Sequence, residues 1–180
     1  TLAFSTIANN DKVGVIFFSD KIEKYIPAQK GKTHVLHIIR ELLSFEPNSK
    51  GTDIAQALQY FANAQKRHCT AFLISDFIGA GAVDKPLLIA SNRHEVNAIQ
   101  IYDRREAELP NIGLVKFHDA ESDKDLWIDT SLATVRDDYA QAWKQNQDLL
   151  EQLFTRTGVN HISVRTDEDY VKALMHLFRC

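Results

Sequence analysis

A hydroxyl and a carboxylate in this chain occur where an α/β sheet would bring ligand-binding groups together. Thr52 lies in Gly51-Thr52-Asp53-Ile54 at the start of a predicted helix, and Asp76 directly follows the apolar run 71–74. Ligands of open parallel sheets bind at the carboxyl ends of the strands. Hydroxyl and carboxylate oxygens are the ligands that Mg²⁺ and other hard cations prefer. The sequence therefore makes Thr52 and Asp76 candidate metal ligands.

Both residues also have a purely structural interpretation. Thr52 or Asp53 can cap the helix that begins here, and Gln56, three residues after Asp53, completes the pattern of a capping box. Asp76 can cap the turn that follows its strand. A cap and a metal ligand are not exclusive, so both interpretations stay open at this point.

The elements that must position the two residues alternate between strands and helices. Apolar runs predict strands at 12–18, 22–26, 70–75, 96–102 and 160–165, and a hairpin at 113–118 and 126–129. Helical periodicity predicts helices at 2–8, 31–45, 83–90 and 132–155, and two more that begin at about residues 52 and 166. Repeated strand–helix–strand units predict an α/β, three-layer Rossmann-like fold, with a mostly parallel sheet and helices on both faces. We expect one domain over residues 1–180.

Two local features sharpen this prediction. Pro27 follows the alternating run 22–26 and is expected to end that strand, because proline cannot donate to a sheet ladder. The helix at 132–155 is expected to end at Gly158 and to bury one apolar stripe, made of Val135, Tyr139, Trp143, Leu149 and Leu153.

Composition restricts the classes of partner. The 180 residues are 44% hydrophobic and 25% charged, with a formal net charge of -3, which argues against nucleic acid or an anionic membrane as the main partner. No stretch approaches the ~18 apolar residues of a membrane span, and no signal-peptide pattern occurs. Cys69 and Cys180 are far apart and unpatterned, which suits a reducing compartment or simply the absence of a disulfide. We expect a cytoplasmic protein, and a membrane anchor upstream of Thr1 stays open.

A nucleotide-binding enzyme is the rival interpretation. Gly79-Ala80-Gly81 follows the strand at 70–75, and Asp103 ends the next strand, which imitates a dinucleotide fingerprint with its distal acid. However, Asp84 stands where the third glycine belongs, and an acid beside a pyrophosphate is electrostatically unfavourable.

Two further groups are weaker metal candidates. His34 and His37 lie three apart on a predicted helix without an evident third ligand, so a solvated helix face is favoured. The acidic turn of Asp119, Glu121, Asp123 and Asp125 lacks the glycine and terminal glutamate of an EF-hand loop, so a solvated hairpin tip is favoured over a Ca²⁺ site.

The order and spacing of the motifs resemble those of a von Willebrand factor type A domain. The resemblance rests on the stretch at 12–20, on Gly51-Thr52-Asp53-Ile54 and on Leu73-Ile74-Ser75-Asp76. More narrowly, the chain resembles the bacterial "domain of unknown function 58" branch, whose members are commonly linked to MoxR-type AAA+ ATPases. The narrower likeness spans most of the chain, and it is carried by Asp76-Phe77, Asp103-Arg104-Arg105-Glu106, Leu109-Pro110, Gly113, Asp119, Glu121, Ile128-Asp129, Arg136 and Tyr139.

The resemblance implies a metal-ion-dependent adhesion site. Thr52 would supply a hydroxyl ligand, and Asp76 would act directly or through water, on Mg²⁺ or on Mn²⁺ or Ca²⁺. The family's first strand and its D-x-S-x-S loop would lie before Thr1, so we expect a domain truncated at its N-terminus that binds no metal by itself. Strands 12–18 and 70–75 would then have open edges, which predicts a closed gap or a non-native dimer.

The function that these expectations favour is a non-enzymatic protein–protein interaction module. Its partner would be a MoxR-type AAA+ ATPase or a client of that ATPase, and binding would depend on a divalent cation in the intact protein. A structural or regulatory domain with a vestigial metal site is the other alternative, and it predicts that Thr52→Ala leaves partner binding unchanged.

Overall fold

The structure is a computed structural model that describes residues 1–49, 51–79, 81–119 and 124–177. The chain divides into two compact units, Thr1–Ala64 and Gln65–Cys180, and each is described by itself. The expectation of a single domain stays a prediction. The first unit contains α1 (Leu2–Ala8), β1 (Val13–Phe18), β2 (Ile22–Gln29), α2 (Lys32–Ser44) and α3 (Ile54–Ala64).

The first unit is built around an antiparallel pair of strands, β1 and β2. Its core contains Phe17, Ile26 and Ile38, with Val15 and Phe45 packed against them. The ring of Phe17 stacks on that of Phe45 at 4.9 Å. Apolar side chains from both strands and from α2 therefore meet in one small core, as the amphipathic pattern predicts.

The strand that was expected to end at Pro27 continues to Gln29, so this boundary prediction is wrong. The ladder shifts register between the pairs Val13–Gln29 and Val15–Ile26, which inserts one extra residue as a β-bulge. Proline is tolerated at such an irregularity. Gly14 faces the bulge, and a Cβ there would lie 2.8 Å from the Ile26 carbonyl oxygen. The missing side chain of Gly14 therefore lets the two backbones approach.

The second unit contains a parallel sheet and an antiparallel hairpin. Its elements are β3 (Thr70–Ser75), α4 (Asp84–Ser91), β4 (Glu95–Tyr102), α5 (Arg104–Ala107), β5 (Leu114–Asp119), β6 (Lys124–Asp129), α6 (Ala133–Thr157), β7 (Asn160–Arg165) and α7 (Tyr170–Leu177). The sheet order is β3-β4-β7, and β5 pairs with β6. The central strand β4 is buried from Val96 to Gln100, as expected of a strand covered on both faces. The predicted α/β, Rossmann-like fold and the predicted hairpin are confirmed.

The long helix α6 ends as predicted, with Gly158 in the left-handed conformation at φ 66°. One member of its predicted stripe is wrong, because Leu149 is 63% exposed while Leu150 is 6% exposed. Adjacent helix residues point about 100° apart, so Leu149 and Leu150 cannot both face the core squarely, and here Leu150 does. Among the described residues, no helix has both the length and the apolar character needed to cross a bilayer.

Candidate functional site

Thr52 lies on the exposed loop that leads into α3 in the first unit. The helix cap is supplied by its neighbour, because Oδ1 of Asp53 accepts the backbone N–H of Gln56 at 2.9 Å. The backbone N–H of Asp53 donates to the Ser19 carbonyl oxygen at 2.8 Å. The capping interpretation therefore applies to Asp53, and the loop is bonded to the turn between β1 and β2.

A carboxylate on β2 holds the same loop farther upstream. Oε1 of Glu23 accepts the backbone N–H of Asn48 at 3.1 Å, and Oε2 accepts the Asn48 side-chain amide at 2.8 Å. The Ser19 hydroxyl also donates to Glu23 Oε1, at 2.8 Å. The bond from the Asn48 side chain is the main cause that lowers the pKa of Glu23, and Ser19 and the charge of Lys21 act in the same direction against desolvation.

Asp76 lies at the carboxyl end of β3 in the second unit, where its side chain is exposed. Its Oδ1 accepts the backbone N–H of Ile78 at 3.1 Å and faces the Ser75 hydroxyl at 3.4 Å. The Ser75 hydroxyl in turn accepts the backbone N–H of Phe77 at 3.1 Å. Asp76 therefore does form the turn cap that the sequence allowed, while it presents a carboxylate at the edge where parallel sheets bind ligands.

Phe77 adopts a backbone conformation that a bulky residue rarely adopts. Its φ is 57°, in the left-handed region that disfavours side chains with a Cβ. The ring is only 1% exposed, and it packs edge-to-face on Phe154 with the ring centroids 5.3 Å apart. Burial of the ring thus stabilises a strained turn next to Asp76.

A buried amide fixes the backbone of Asp76. Nε2 of Gln100, on β4, donates to the Asp76 carbonyl oxygen at 3.3 Å, and Oε1 of Gln100 accepts the Ser163 hydroxyl at 2.8 Å. Gln100 is only 3% exposed. These bonds satisfy a polar side chain inside an otherwise apolar strand, as burial requires, and they connect the ends of three neighbouring strands.

The two acidic residues of the rival nucleotide-binding interpretation, Asp103 and Asp84, bond to other groups of the protein. Asp103 caps α5 in a capping box with Glu106, and its Oδ2 accepts the Thr166 hydroxyl at 3.1 Å. Its pKa is lowered, mainly by the bond from the Arg105 backbone. Asp84 forms an ion pair with Arg156. The middle residue of Gly79-Ala80-Gly81 lies outside the described residues, so that prediction stays open.

The two weaker metal candidates are engaged in other contacts. Nε2 of His34 lies 2.8 Å from the Val13 carbonyl oxygen, while Nδ1 of His37 lies 3.8 Å from Glu41. The two imidazoles thus contact different groups.

The acidic turn is only partly described. Asp125 contacts Lys116 at 2.6 Å and His118 at 3.0 Å, and these hydrogen bonds lower its pKa. The side chain of Asp119, and Glu121 and Asp123 altogether, lie outside the described part of the chain.

Thr52 and Asp76 offer the right donor atoms for a hard cation but belong to different compact units. Both side chains are exposed, and a hydroxyl with a carboxylate is an oxygen-only set of the kind that Mg²⁺ takes from proteins. Over the described ranges, no group of three His, Cys, Asp or Glu residues is arranged to hold a metal. Each of the two residues therefore supplies an oxygen of the type that such a site uses.

Sequence reasoning missed the residues that position this candidate pair. Gln100 had a visible signal, because an amide interrupts the apolar strand 96–101 and must find buried partners. Glu23 and Phe77 gave weaker signals, since their roles depend on a contact 25 residues away and on a backbone angle.

Comparison with known proteins identifies relatives of unknown function. Residues 1–149 match the model of the family described as "Protein of unknown function DUF58". Uncharacterized protein Rv1480 of Mycobacterium tuberculosis is 29% identical over 174 residues, which cover 94% of this chain and 54% of that protein. The chain thus spans about half the length of this relative. Uncharacterized protein MAV169 of Mycobacterium avium is 30% identical over 158 residues, with 86% of this chain and 92% of that protein covered.

Two solved structures share the fold. One is the conserved hypothetical protein BatB from Bacteroides thetaiotaomicron, with a TM-score of 0.53 and 14% identity over 99% of this chain and 86% of that one. The other is an aerotolerance-related membrane protein from Bacteroides fragilis that carries multiple mutations to serine, with a TM-score of 0.59, 16% identity and the same coverage. At these identities the likeness supports the α/β fold alone.

Proposed function

Since the chain belongs to the DUF58 family, whose function is unknown, we propose from its own site residues that it is a non-enzymatic protein-binding module. In the full-length protein, Thr52 and Asp76 would hold a divalent cation at a von Willebrand factor A-like adhesion site. The proposal covers Mg²⁺ first and Mn²⁺ or Ca²⁺ as substitutes. The contact with the partner protein would depend on that cation.

The observation that carries the proposal is that Thr52 and Asp76 are exposed residues next to backbone that neighbouring bonds hold in place. Beside Thr52, Asp53 makes a side-chain bond that caps α3. Asp76 is likewise exposed, and its backbone is held by the buried Gln100. A ligand pair needs this combination of accessible oxygens on a fixed backbone.

The bound cation would supply an open coordination position that a carboxylate of the partner protein fills. Thr52 and Asp76 would hold the ion, and Gln100 and Phe77 would keep the Asp76 carboxylate oriented towards it. The identity of the partner rests on family analogy. We propose a MoxR-type AAA+ ATPase or one of its clients, and a cytoplasmic location in which such an ATPase has access to ATP.

Two described side chains support a non-enzymatic role. Burial raises the pKa of the Cys69 thiol, and a neutral thiol is a poor nucleophile. The Ser75 hydroxyl is directed at its neighbour Asp76, at 3.4 Å, and at the backbone of the following turn. The glycines that flank a serine nucleophile in an elbow motif are absent from the sequence around Ser75.

The proposal is tested by binding of the full-length protein to the MoxR-type ATPase of the same organism, measured by biolayer interferometry. With Mg²⁺ present, we expect Thr52→Ala and Asp76→Asn each to weaken binding roughly tenfold or more, the range expected when a charge-assisted ligand is lost. EDTA should weaken the wild type to a similar extent. Thr70→Ala is the matched control, because Thr70 is an exposed threonine at the opposite end of β3.

The outcomes separate the interpretations. Binding that is equally strong in EDTA and in Thr52→Ala would favour the structural or regulatory domain with a vestigial site. Absence of binding to the ATPase under every condition would overturn the proposed partner.

A further inference from the structure

The loop that carries Thr52 is tied to a single carboxylate. The connection between α2 and α3 is irregular from Phe45 to Asp53 in its described part. Glu23 reaches it from β2 and accepts both the backbone N–H and the side-chain amide of Asn48. Two donors on one residue fix the position of Asn48 and also its orientation, because both carboxylate oxygens are used.

The same carboxylate also acts at the other end of the loop, through Ser19. The Ser19 hydroxyl donates to Glu23 at 2.8 Å, and the Ser19 carbonyl oxygen accepts the backbone N–H of Asp53 at 2.8 Å. Ser19 is only 6% exposed, so its position is well defined by its surroundings. Glu23 therefore contacts the upstream part of the loop directly and its downstream end through one intermediate residue.

Close packing completes the attachment. A Cβ on Gly51 would lie 3.4 Å from the Cβ of Asp20, so the loop backbone passes directly against the turn that contains Ser19 and Asp20. Thr52 is flanked on one side by this packed glycine and on the other by the bonded Asp53. The backbone of Thr52 is thus located by contacts that its two neighbours make.

We infer that Glu23 is a positioning residue that holds the loop of Thr52 in its ligand-presenting conformation. That Glu23 holds the loop is argued from its hydrogen bonds. That the held conformation presents a metal ligand rests on the proposed function. The other interpretation is that Glu23 merely stabilises the turn between β1 and β2. In that case its loss would affect Ser19 but would leave the loop at Asn48 and Asp53 as protected as before.

The first test is amide hydrogen exchange by NMR on the full-length protein. We expect Glu23→Gln to speed exchange at Asn48 and Asp53 roughly tenfold, since bonds to a charged acceptor are lost or weakened. Exchange in the middle of α2 should not change. Glu41→Gln is the matched control, because Glu41 is another carboxylate of this unit whose contacts are Lys24 and His37.

A double variant tests the contact itself. Glu23→Gln with Asn48→Asp exchanges the amide and the carboxylate across the same pair, and it should restore slow exchange at Asp53. Asn48→Asp alone places two carboxylates together and should speed exchange further. Unchanged exchange in Glu23→Gln, or failure of the double variant to restore it, would overturn the inference.

Binding to the MoxR-type ATPase in Mg²⁺ then separates the inference from the proposed function. We expect Glu23→Gln to weaken binding severalfold and the double variant to recover it. If Thr52→Ala weakens binding while Glu23→Gln does not, Glu23 is not a positioning residue. If Thr52→Ala has no effect, the proposed function fails, and the role of Glu23 in holding the loop is decided by the exchange data.

Discussion

The two loops that carry the candidate ligands are held by different physical means. The loop of Thr52 is held by hydrogen bonds from Glu23, a partly exposed carboxylate 25 residues before Asn48. The loop of Asp76 is held by a buried amide, Gln100, and by the buried ring of Phe77. One loop therefore depends on charge and on solvent conditions, and the other depends on apolar packing.

This difference explains why the loop of Asp76 tolerates a strained residue. A left-handed conformation at a bulky side chain is unfavourable by roughly 1–2 kcal/mol. Complete burial of an aromatic ring can offset that amount, since burying a Phe side chain contributes about 1.5–3 kcal/mol. Hydrogen bonds at an exposed surface contribute less each, and in the described part of the loop of Thr52, residues 45–49 and 51–53, no residue has a positive φ.

The largest predicted effect is on stability, and it comes from a substitution in the loop of Asp76. Phe77→Ala removes a ring that is 1% exposed, and we expect a loss of about 3–5 kcal/mol in the free energy of unfolding. Both tryptophans, Trp127 and Trp143, lie in the second unit. Urea denaturation followed by tryptophan fluorescence therefore measures the free energy of unfolding of that unit. Leu149→Ala on α6 is the control, because Leu149 is 63% exposed and should cost less than about 1 kcal/mol.

Phe77→Gly separates the backbone from the ring. Glycine normally destabilises relative to alanine, by about 0.5–1 kcal/mol. At φ 57° the order should reverse, with Phe77→Gly more stable than Phe77→Ala by about 1 kcal/mol. If the alanine variant is the more stable one, the turn is not strained at Phe77. The two loops would then differ in how they are held but not in backbone strain.

A substitution in the loop of Thr52 should have a smaller effect on stability, confined to the neighbouring helix. Asp53→Ala removes the bond to the Gln56 N–H, and we expect α3 to lose about 1 kcal/mol, measured by exchange of the Leu58 amide. Thr52→Ala is the matched control on the neighbouring residue, with a change within about 0.5 kcal/mol for an exposed side chain. Equal losses in the two variants would mean that Thr52 shares the cap, and the argument for Thr52 as a ligand would weaken.

The elements of the fold were predictable where periodicity is strong. Strands β3 and β7 match their predicted ranges, and Gly158 ends α6 as expected. Pro27 misled the boundary of β2 because a bulge opposite Gly14 accommodates it, and a bulge leaves little local signature. Leu149 misled the phase of α6 because adjacent leucines at 149 and 150 fit helical periodicity almost equally well.

The ligand roles of Thr52 and Asp76 stay predictions, and the residues that support these two loops could not be predicted from the sequence. Thr52 and Asp76 are recognisable because local motifs place them at the ends of elements. The roles of Glu23 and Gln100 depend on contacts between segments that are 25 and 24 residues apart. Which strand reaches which loop is decided by topology, and local sequence patterns do not specify that pairing.

The smallest effect predicted from the comparison is that the stability of the loop of Thr52 depends on pH, while that of the loop of Asp76 does not. Hydrogen bonds from Asn48 and Ser19 and the charge of Lys21 lower the pKa of Glu23. Glu23 therefore stabilises the folded loop at pH values above its unfolded pKa of about 4.3. That contribution is lost as the pH falls through the lower pKa of the folded state, because the protonated carboxyl is a weaker acceptor.

The backbone amide of Asn48 should report this titration directly, because its N–H donates to Glu23. We expect its NMR chemical shift to change once between pH 6 and pH 2.5, with a midpoint below the usual glutamate pKa of about 4.3. Asp20, whose Oδ1 lies 3.3 Å from the Ser19 hydroxyl, is the nearby carboxylate that Asp20→Asn removes as a control. The transition should persist in that variant and disappear in Glu23→Gln. A midpoint at or above 4.3 would mean that the loop does not stabilise the charged form of Glu23, and the two loops would then differ in packing alone.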